Sequence, residues 1–346
     1  MNPYAKLILM ISIVSGSTIT MSSNHWVLAW IGLEINTLAT IPLISKCHHP
    51  RAVEASIKYF LIQASASALM LFSSMINAWS TGQWDITLLT NPTASLLLTS
   101  AIAMKLGLVP FHFWFPEVLQ GVSLPTALLL STVIKIPPLT ILTLISQSVN
   151  PVFLTTMAIA STAIGGWMGL NQTQIRKIMA FSSISHLGWM AAITTYNPKL
   201  ITLAFCLYVL MTTPVFLSLN TTKTTSLPTL LISWTKSPAI NASLMLTLLS
   251  LAGLPPLSGF LPKWMILQEL TIQEMTPLAI IISLLSLLGL FFYLRLTYHA
   301  TITLPPNTSN HMKTWDTNMP TNISIAILTS LSATILPISP MIISML

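Results

Sequence analysis

Apolar residues run through this chain in continuous windows of about 17–25, separated by short stretches that collect the polar and charged positions. A window of that length is what an α-helix needs to cross hydrocarbon ~30 Å thick at ~1.5 Å per residue. The windows predict about eleven helices, near 3–21, 25–45, 54–79, 93–112, 122–145, 151–171, 174–196, 199–220, 240–258, 276–298 and 321–344. Two shorter amphipathic pieces, about 113–121 and 262–272, follow spans interrupted by proline. The fold class is therefore an all-α polytopic membrane protein, with residues 1–346 forming a single membrane domain. An outer-membrane barrel is excluded, because its strands would read as ~10-residue alternating segments.

One pattern occurs twice. Gly107-Leu108-Val109-Pro110 with Pro116 returns as Gly253-Leu254-Pro255-Pro256 with Pro262, at one constant offset. Each copy lies in the fourth helix of a five-helix block, one over about 3–145 and the other over about 151–298, with a C-terminal helix near 321–344. An odd number of spans per block inserts the second copy upside down. Inverted repeats with matching interrupted helices point to a transport site near the bilayer midplane. Proline there removes a backbone hydrogen bond and leaves carbonyls able to meet water or a cation.

Composition agrees with a membrane protein and removes other classes. Of 346 residues, 53% are hydrophobic and only 6% are charged, with 23 prolines. Two cysteines, Cys47 and Cys206, are too few for an iron–sulfur cluster held by four thiolates. No GxGxxG or GxxxxGK[ST] is present, which leaves dinucleotide and nucleoside triphosphate binding without a basis. The formal charge of +7 does not indicate nucleic acid, because the basic residues fall between spans. Lys6, Lys46, Arg51, Lys58, Arg176, Lys177, Lys223, Lys236, Arg295 and Lys313 collect on one face and Lys199 on the other. That bias puts the N-terminus on the positive, translocation-resisting side. The N-terminus enters a span directly and carries no cleavable presequence pattern.

Four charges do not follow the loops: Glu34, Lys105, Lys135 and Lys263 fall inside apolar stretches. An ionisable group at the bilayer centre costs from ~3 to well over 10 kcal/mol, so each needs a reason. Lys135 is roughly 20 Å along its helix, beyond the reach of snorkelling. Two readings stay open, a Glu–Lys pair joining helices and a titrating proton relay. Stoichiometry favours the relay, because one deep carboxylate cannot neutralise three deep amines. Lys263 follows a helix break, where an interfacial lysine beside Trp264 is the alternative; its counterpart in the first copy is Glu117.

His186, within the seventh helix, and His112, in the first break, can pass protons between their ring nitrogens or act as packing residues. The run Lys46-Cys47-His48-His49 has no further ligands nearby and is read as a headgroup contact, not a metal site. Glu54 and Lys58 have the i,i+4 spacing of a surface pair. Trp26, Trp79, Trp84, Trp234 and Trp264 fall near span ends, as interfacial anchors do.

The seventh helix begins Arg176-Lys177-Ile178-Met179-Ala180-Phe181-Ser182-Ser183-Ile184-Ser185-His186-Leu187-Gly188. With Met1-Asn2-Pro3, Trp30-Ile31-Gly32-Leu33-Glu34 and Gly253-Leu254-Pro255-Pro256-Leu257-Ser258-Gly259-Phe260, it resembles the antiporter-like, proton-translocating subunits of respiratory NADH dehydrogenase (complex I). The likeness covers essentially the whole chain. It implies a fold of fourteen helices shortened here by three at the N-terminus, leaving one flank for lipid or other subunits. By the same resemblance, Glu34 is the family's glutamate and Lys105 its partner on the first discontinuous helix. Lys135 becomes the connecting lysine and Lys263 the charge of the second discontinuous helix, while His186 lies on the axis between half-channels.

The resemblance further implies a core membrane-arm subunit of the mitochondrial inner membrane, with the N-terminus on the matrix side and the C-terminus on the intermembrane-space side. Its partners would be other membrane-arm subunits, including neighbouring antiporter-like and accessory subunits, and membrane lipids, with no nucleic acid. This chain would hold no cofactor or metal; NADH, FMN, iron–sulfur clusters and ubiquinone would belong to partner subunits. A freestanding cation/proton antiporter and a structural subunit whose charges weld helices are the competing functions.

Overall fold

Proline marks where helices begin. Asn91-Pro92, Asn150-Pro151 and Asn197-Pro198 each open a helix, the Asn side chain accepting the backbone N–H two residues on at 3.3, 3.1 and 3.2 Å. Proline at the first helical position gives up a hydrogen bond that no helix could have made there. Much of the proline content is thus helix punctuation and not helix breakage.

The computed structural model describes residues 2–47, 49–234, 237–302 and 323–343. It forms two compact units, residues 1–161 and 162–346, with the boundary falling inside one helix. The first unit contains α1 (Pro3–Ser22), α2 (Trp26–Ile44), α3 (Pro50–Thr81), α4 (Pro92–Leu106), α5 (Trp114–Gly121), α6 (Leu124–Ser131), α7 (Ile136–Leu144) and the start of α8 (Pro151–Gly169). Here α3 lies between α2 and α4 and also carries α5, while α7 packs on α1 and α4. The second unit contains α9 (Ile175–Ile193), α10 (Pro198–Thr222), α11 (Leu227–Ser233), α12 (Pro238–Ala252), α13 (Phe260–Ile272), α14 (Thr276–Ile302) and α15 (Ile323–Ile343). Within it α10 packs on α9, α12, α13 and α15, and α14 covers α9, α12 and α13.

Among the described residues, eight segments are long and apolar enough to cross a membrane; α4 and α12 are shorter apolar helices. Together with α9, these occupy the predicted windows. No strand forms among the described residues beyond two isolated bridges, His25 with Asp85 and Gln174 with Ser226. Outward faces are apolar, as at Leu7, Ile8, Ile11 and Val14 of α1 and Ile280, Leu284 and Leu287 of α14. The many serines and threonines return their hydroxyls to their own helix, as Ser73, Ser161, Ser183 and Thr247 do to the carbonyl three residues back. No hydroxyl bonded this way is left unpaired in hydrocarbon.

The structure departs from the sequence reading in four places. The span expected over 122–145 is not continuous: a 3-10 turn, Val133–Lys135, separates α6 from α7. Pro137 and Pro138 are the cause, because a proline ring collides with the carbonyl four residues back. A short helix, α11, fills part of the loop expected at 221–239, opened by a capping box between Ser226 and Thr229. Trp26 is buried at 2% exposure and is no interfacial anchor, whereas Trp79 is 95% exposed. Arg295, counted with the loop cations though inside the predicted 276–298 window, lies in α14 and has partners within the protein. It donates from Nη1 to the Leu170 carbonyl and from Nη2 to Gln172 O at 2.7 Å, serving the chain just beyond α8. His48, Lys236 and Lys313 lie outside the described residues.

A guanidinium serving two carbonyls is worth about 1.5–3 kcal/mol per hydrogen bond. Arg295→Met therefore lowers the thermal unfolding midpoint of the detergent-solubilised protein by several degrees, whereas a mere loop cation would leave it unchanged.

Candidate functional site

Each unit contains a helix closed by a glycine within an apolar segment, and these two interruptions share a local construction. Gly107 closes α4 with φ 77° and Gly253 closes α12 with φ 80°. A side chain in that left-handed region costs about 1–2 kcal/mol, so glycine is the natural residue. At the first, the N–H groups of Gly107 and Leu108 both return to Ala103 O at 2.9 and 3.0 Å. At the second, Leu254 N returns to Leu249 O at 3.5 Å, and Leu257 N to Leu254 O at 2.9 Å matches Phe111 N to Leu108 O at 2.8 Å. These are helix-closing motifs set within apolar segments, and they leave terminal carbonyls to be satisfied from elsewhere.

The donors differ between the copies. In the first unit the indole Nε1 of Trp114 donates to Met104 O at 3.1 Å. In the second, Lys263 Nζ donates to Ala252 O at 2.8 Å. Lys263 lies in the first turn of α13, and its stem runs back over Gly253, where an added Cβ would sit 2.9 Å from Nζ and 3.0 Å from Cδ and Cε. Glycine is thus needed there for space as well as for φ. The amine also lies 5.9 Å from the centre of the Trp189 ring. A cation here faces the negative end of α12, a favourable placement.

Lys263 and His186 are brought together. Both line an enclosed cavity with about 20 Å³ open to a water-sized sphere, along with Thr162, Ser185, Trp189, Ser286 and Tyr293. His186 itself packs on the Tyr208 ring, centroids 5.5 Å apart.

In the first unit Lys105 occupies the last turn of α4, 5% exposed, and its amine has no hydrogen-bond partner. Glu34 of α2 accepts from Thr37 Oγ1 at 2.6 Å and from Ser67 Oγ at 2.8 Å. With one hydroxyl on each carboxylate oxygen, no ion pair joins Glu34 to Lys105. The pairing implied by the resemblance is not made by contact. Glu34 also borders an open groove of about 430 Å³ formed with Trp30, Ser67, Phe72 and Met75. Lys135, in the 3-10 turn and 2% exposed, holds its amine 4.1 Å from the centre of the Phe115 ring. His112 sits in the interruption, 2% exposed, with Nδ1 unpartnered and its ring against Phe113.

Glu117, the positional counterpart of Lys263, behaves differently. It turns outward to Lys58, 2.7 Å away, and Glu54 closes the other side of that amine. Of this cluster only Glu54 and Lys58 were visible in the sequence; Glu117 is 59 residues away and gave no local signal. Sequence reasoning also passed over Phe115, Trp189, Tyr208 and Tyr293, since aromatic residues inside apolar spans read as packing. Among the described residues no three His, Cys, Asp or Glu side chains converge as metal ligands would, and His49 accepts Arg51 N at the start of α3.

Residues 23–289, which include every candidate above, match the family described as NADH:quinone oxidoreductase/Mrp antiporter, TM, and residues 290–343 match NADH dehydrogenase subunit 2 C-terminus. NADH-ubiquinone oxidoreductase chain 2 of Struthio camelus is 74% identical over 346 residues, all of both chains, and that of Gallus gallus is 71% identical over the same length. The chain belongs to the NADH-ubiquinone oxidoreductase chain 2 family. A chain of respiratory complex I from Thermus thermophilus with bound aureothin superposes with a TM-score of 0.84 at 24% identity, covering 97% of this chain and 80% of that one. A chain of the Mrp complex from Dietzia sp. DQ12-45-1b gives 0.80 at 16% identity, over 96% and 75%. The antiporter-like fold of the NADH-ubiquinone oxidoreductase chain 2 family thus persists at low identity.

The two glycines separate space from conformation. Gly107→Ala meets nothing nearer than 3.5 Å and loses only the backbone cost of about 1–2 kcal/mol. Gly253→Ala carries that cost and also drives the Lys263 amine off Ala252 O. A density map resolving lysine side chains should show the displaced amine in Gly253→Ala, with the larger fall in thermal stability. Equal falls and an unmoved Lys263 would refute the steric argument.

Proposed function

We propose that this chain is a proton-translocating subunit of the membrane arm of respiratory complex I in the mitochondrial inner membrane, with its N-terminus on the matrix side. NADH oxidation and ubiquinone reduction, with their FMN and iron–sulfur clusters, belong to partner subunits, so energy reaches this chain as a change in electrostatics. The observation that carries the reading is the Lys105 amine, sealed in the chain at 5% exposure without a hydrogen bond while Glu34 acts on it from a distance. Burial without a partner disfavours the charged amine, and an approaching carboxylate favours it. Small displacements of Glu34 relative to Lys105 would load or release a proton. Lys135, Lys263 and His186 extend the set, with His112 beside the first interruption. Work against the membrane potential is roughly 2.3 kcal/mol per charge per 100 mV. Shifts of that size are within reach of moving one charge in a medium of low dielectric.

The weld alternative draws support from one contact, the bond of Lys263 to Ala252 O, which ties α13 to α12. It does not explain Lys105, which holds nothing. A freestanding antiporter needs deep carboxylates open to a cation. Among the described residues Glu34 is the one deep carboxylate, and hydroxyls occupy both its oxygens.

Lys105→Met and Lys135→Met in the assembled complex distinguish these readings. The relay predicts normal assembly with proton pumping in liposomes lowered by about 10²-fold, the scale of losing a proton-transfer group. Failed assembly in both variants would favour welds, and pumping by the purified chain alone would favour the antiporter.

A further inference from the structure

Tyr293 of α14 is 2% exposed, and its hydroxyl is buried without a hydrogen-bond partner. A buried, unpaired hydroxyl costs about 1–3 kcal/mol, so such a group normally has a partner or a water. Tyr293 is also one of the residues lining the cavity that Lys263 and His186 share. That cavity, at about 20 Å³, exceeds the roughly 10–15 Å³ that a water requires. Its wall supplies the partners a water needs. Lys263 spends one of its ammonium donors on Ala252 O and has others left. Ser185 and Ser286 donate to Ser182 O and Ser283 O, both at 2.7 Å, which leaves their oxygens free to accept.

We infer that Tyr293 is a positioning residue that holds a water between Lys263 and His186. The water accepts from the Tyr293 hydroxyl and from Lys263 Nζ, and donates to His186 and to a serine oxygen. All four of its hydrogen bonds are then filled by this unit. The phenol need not change its own protonation state; it fixes the oxygen through which Lys263 and His186 exchange a proton. This role rests on the relay proposed above, and the tyrosine hydroxyl is the part that reading does not contain.

Tyr293→Phe keeps the ring, and with it the packing against Phe292 at 4.4 Å between centroids, and removes the oxygen alone. In the assembled enzyme we expect normal assembly, with NADH-driven proton pumping down about fivefold, one hydrogen bond's worth at ~1 kcal/mol. A high-resolution map of the variant should show the water gone and both Lys263 and His186 in place, a change that a purely structural tyrosine would not cause. Lys263→Met serves as the control for the underlying relay. If it abolishes pumping while Tyr293→Phe pumps normally with the water retained, the relay stands and the tyrosine role is overturned. If Lys263→Met pumps normally, the relay through Lys263 fails first. Should Tyr293→Phe not assemble, the unmodified enzyme decides: density for a water in contact with the Tyr293 hydroxyl sustains the inference, and an empty or differently filled cavity overturns it.

Discussion

A helix interrupted inside hydrocarbon exposes carbonyl groups that no solvent can satisfy, and this constraint organises both units. The chain tolerates the interruptions at Gly107 and Gly253 because each supplies its own donor, Trp114 Nε1 in one and Lys263 Nζ in the other. The choice of donor has consequences. An indole is neutral and fixed, so the first interruption is closed by a permanent group and its neighbouring charge, Lys105, is left without a bond. An ammonium is charged and titratable, so the second interruption is closed by the candidate functional group itself. The same backbone device thus serves a structural end once and a chemical end once.

Most of the fold was legible because membrane helices announce themselves by length. The windows found every long helix, and Gly-Leu-x-Pro at a constant offset located both interruptions before any coordinates. The break at Lys135 was missed although Ile136-Pro137-Pro138 stood in plain view, because the apolar window around it was unbroken and hydropathy does not register a lost hydrogen bond. The partners of Arg295 were hidden for a related reason. A charge near a span end reads as facing headgroups, yet the carbonyls beyond α8 bind it within the protein. The seven-residue α11 was too short for any window to detect.

For the candidate site, depth was legible and partnership was not. Glu34, Lys105, Lys135 and Lys263 could be singled out from the rarity of charge alone. What each faces depends on contacts between helices, which one sequence does not encode locally. Counting charges left a Glu–Lys pair open beside a relay; Thr37 and Ser67, not a lysine, fill the Glu34 oxygens. Equivalence of position suggested that Glu117 and Lys263 would play similar parts. One turns outward to Lys58 and the other inward under Trp189. Repetition predicts backbone shape well because shape follows from glycine and proline, and predicts side-chain chemistry poorly because that follows from neighbours.

Two of the deep amines are housed differently, and the difference bears on which can act as a switch. Lys263 is held by a carbonyl. Lys105 has only the C-terminal end of α4 and a distant carboxylate. A fixed partner stabilises one protonation state by a constant amount, which makes a group dependable but insensitive to motion elsewhere. Attraction through space varies with distance in a poorly screened medium, so it converts small displacements into changes of charge state. The hydroxyls on Glu34 contribute to this. They give each carboxylate oxygen a neutral donor, so no cation is bound to it. A direct ion pair would be the more stable arrangement at rest and the less responsive one for the relay proposed above.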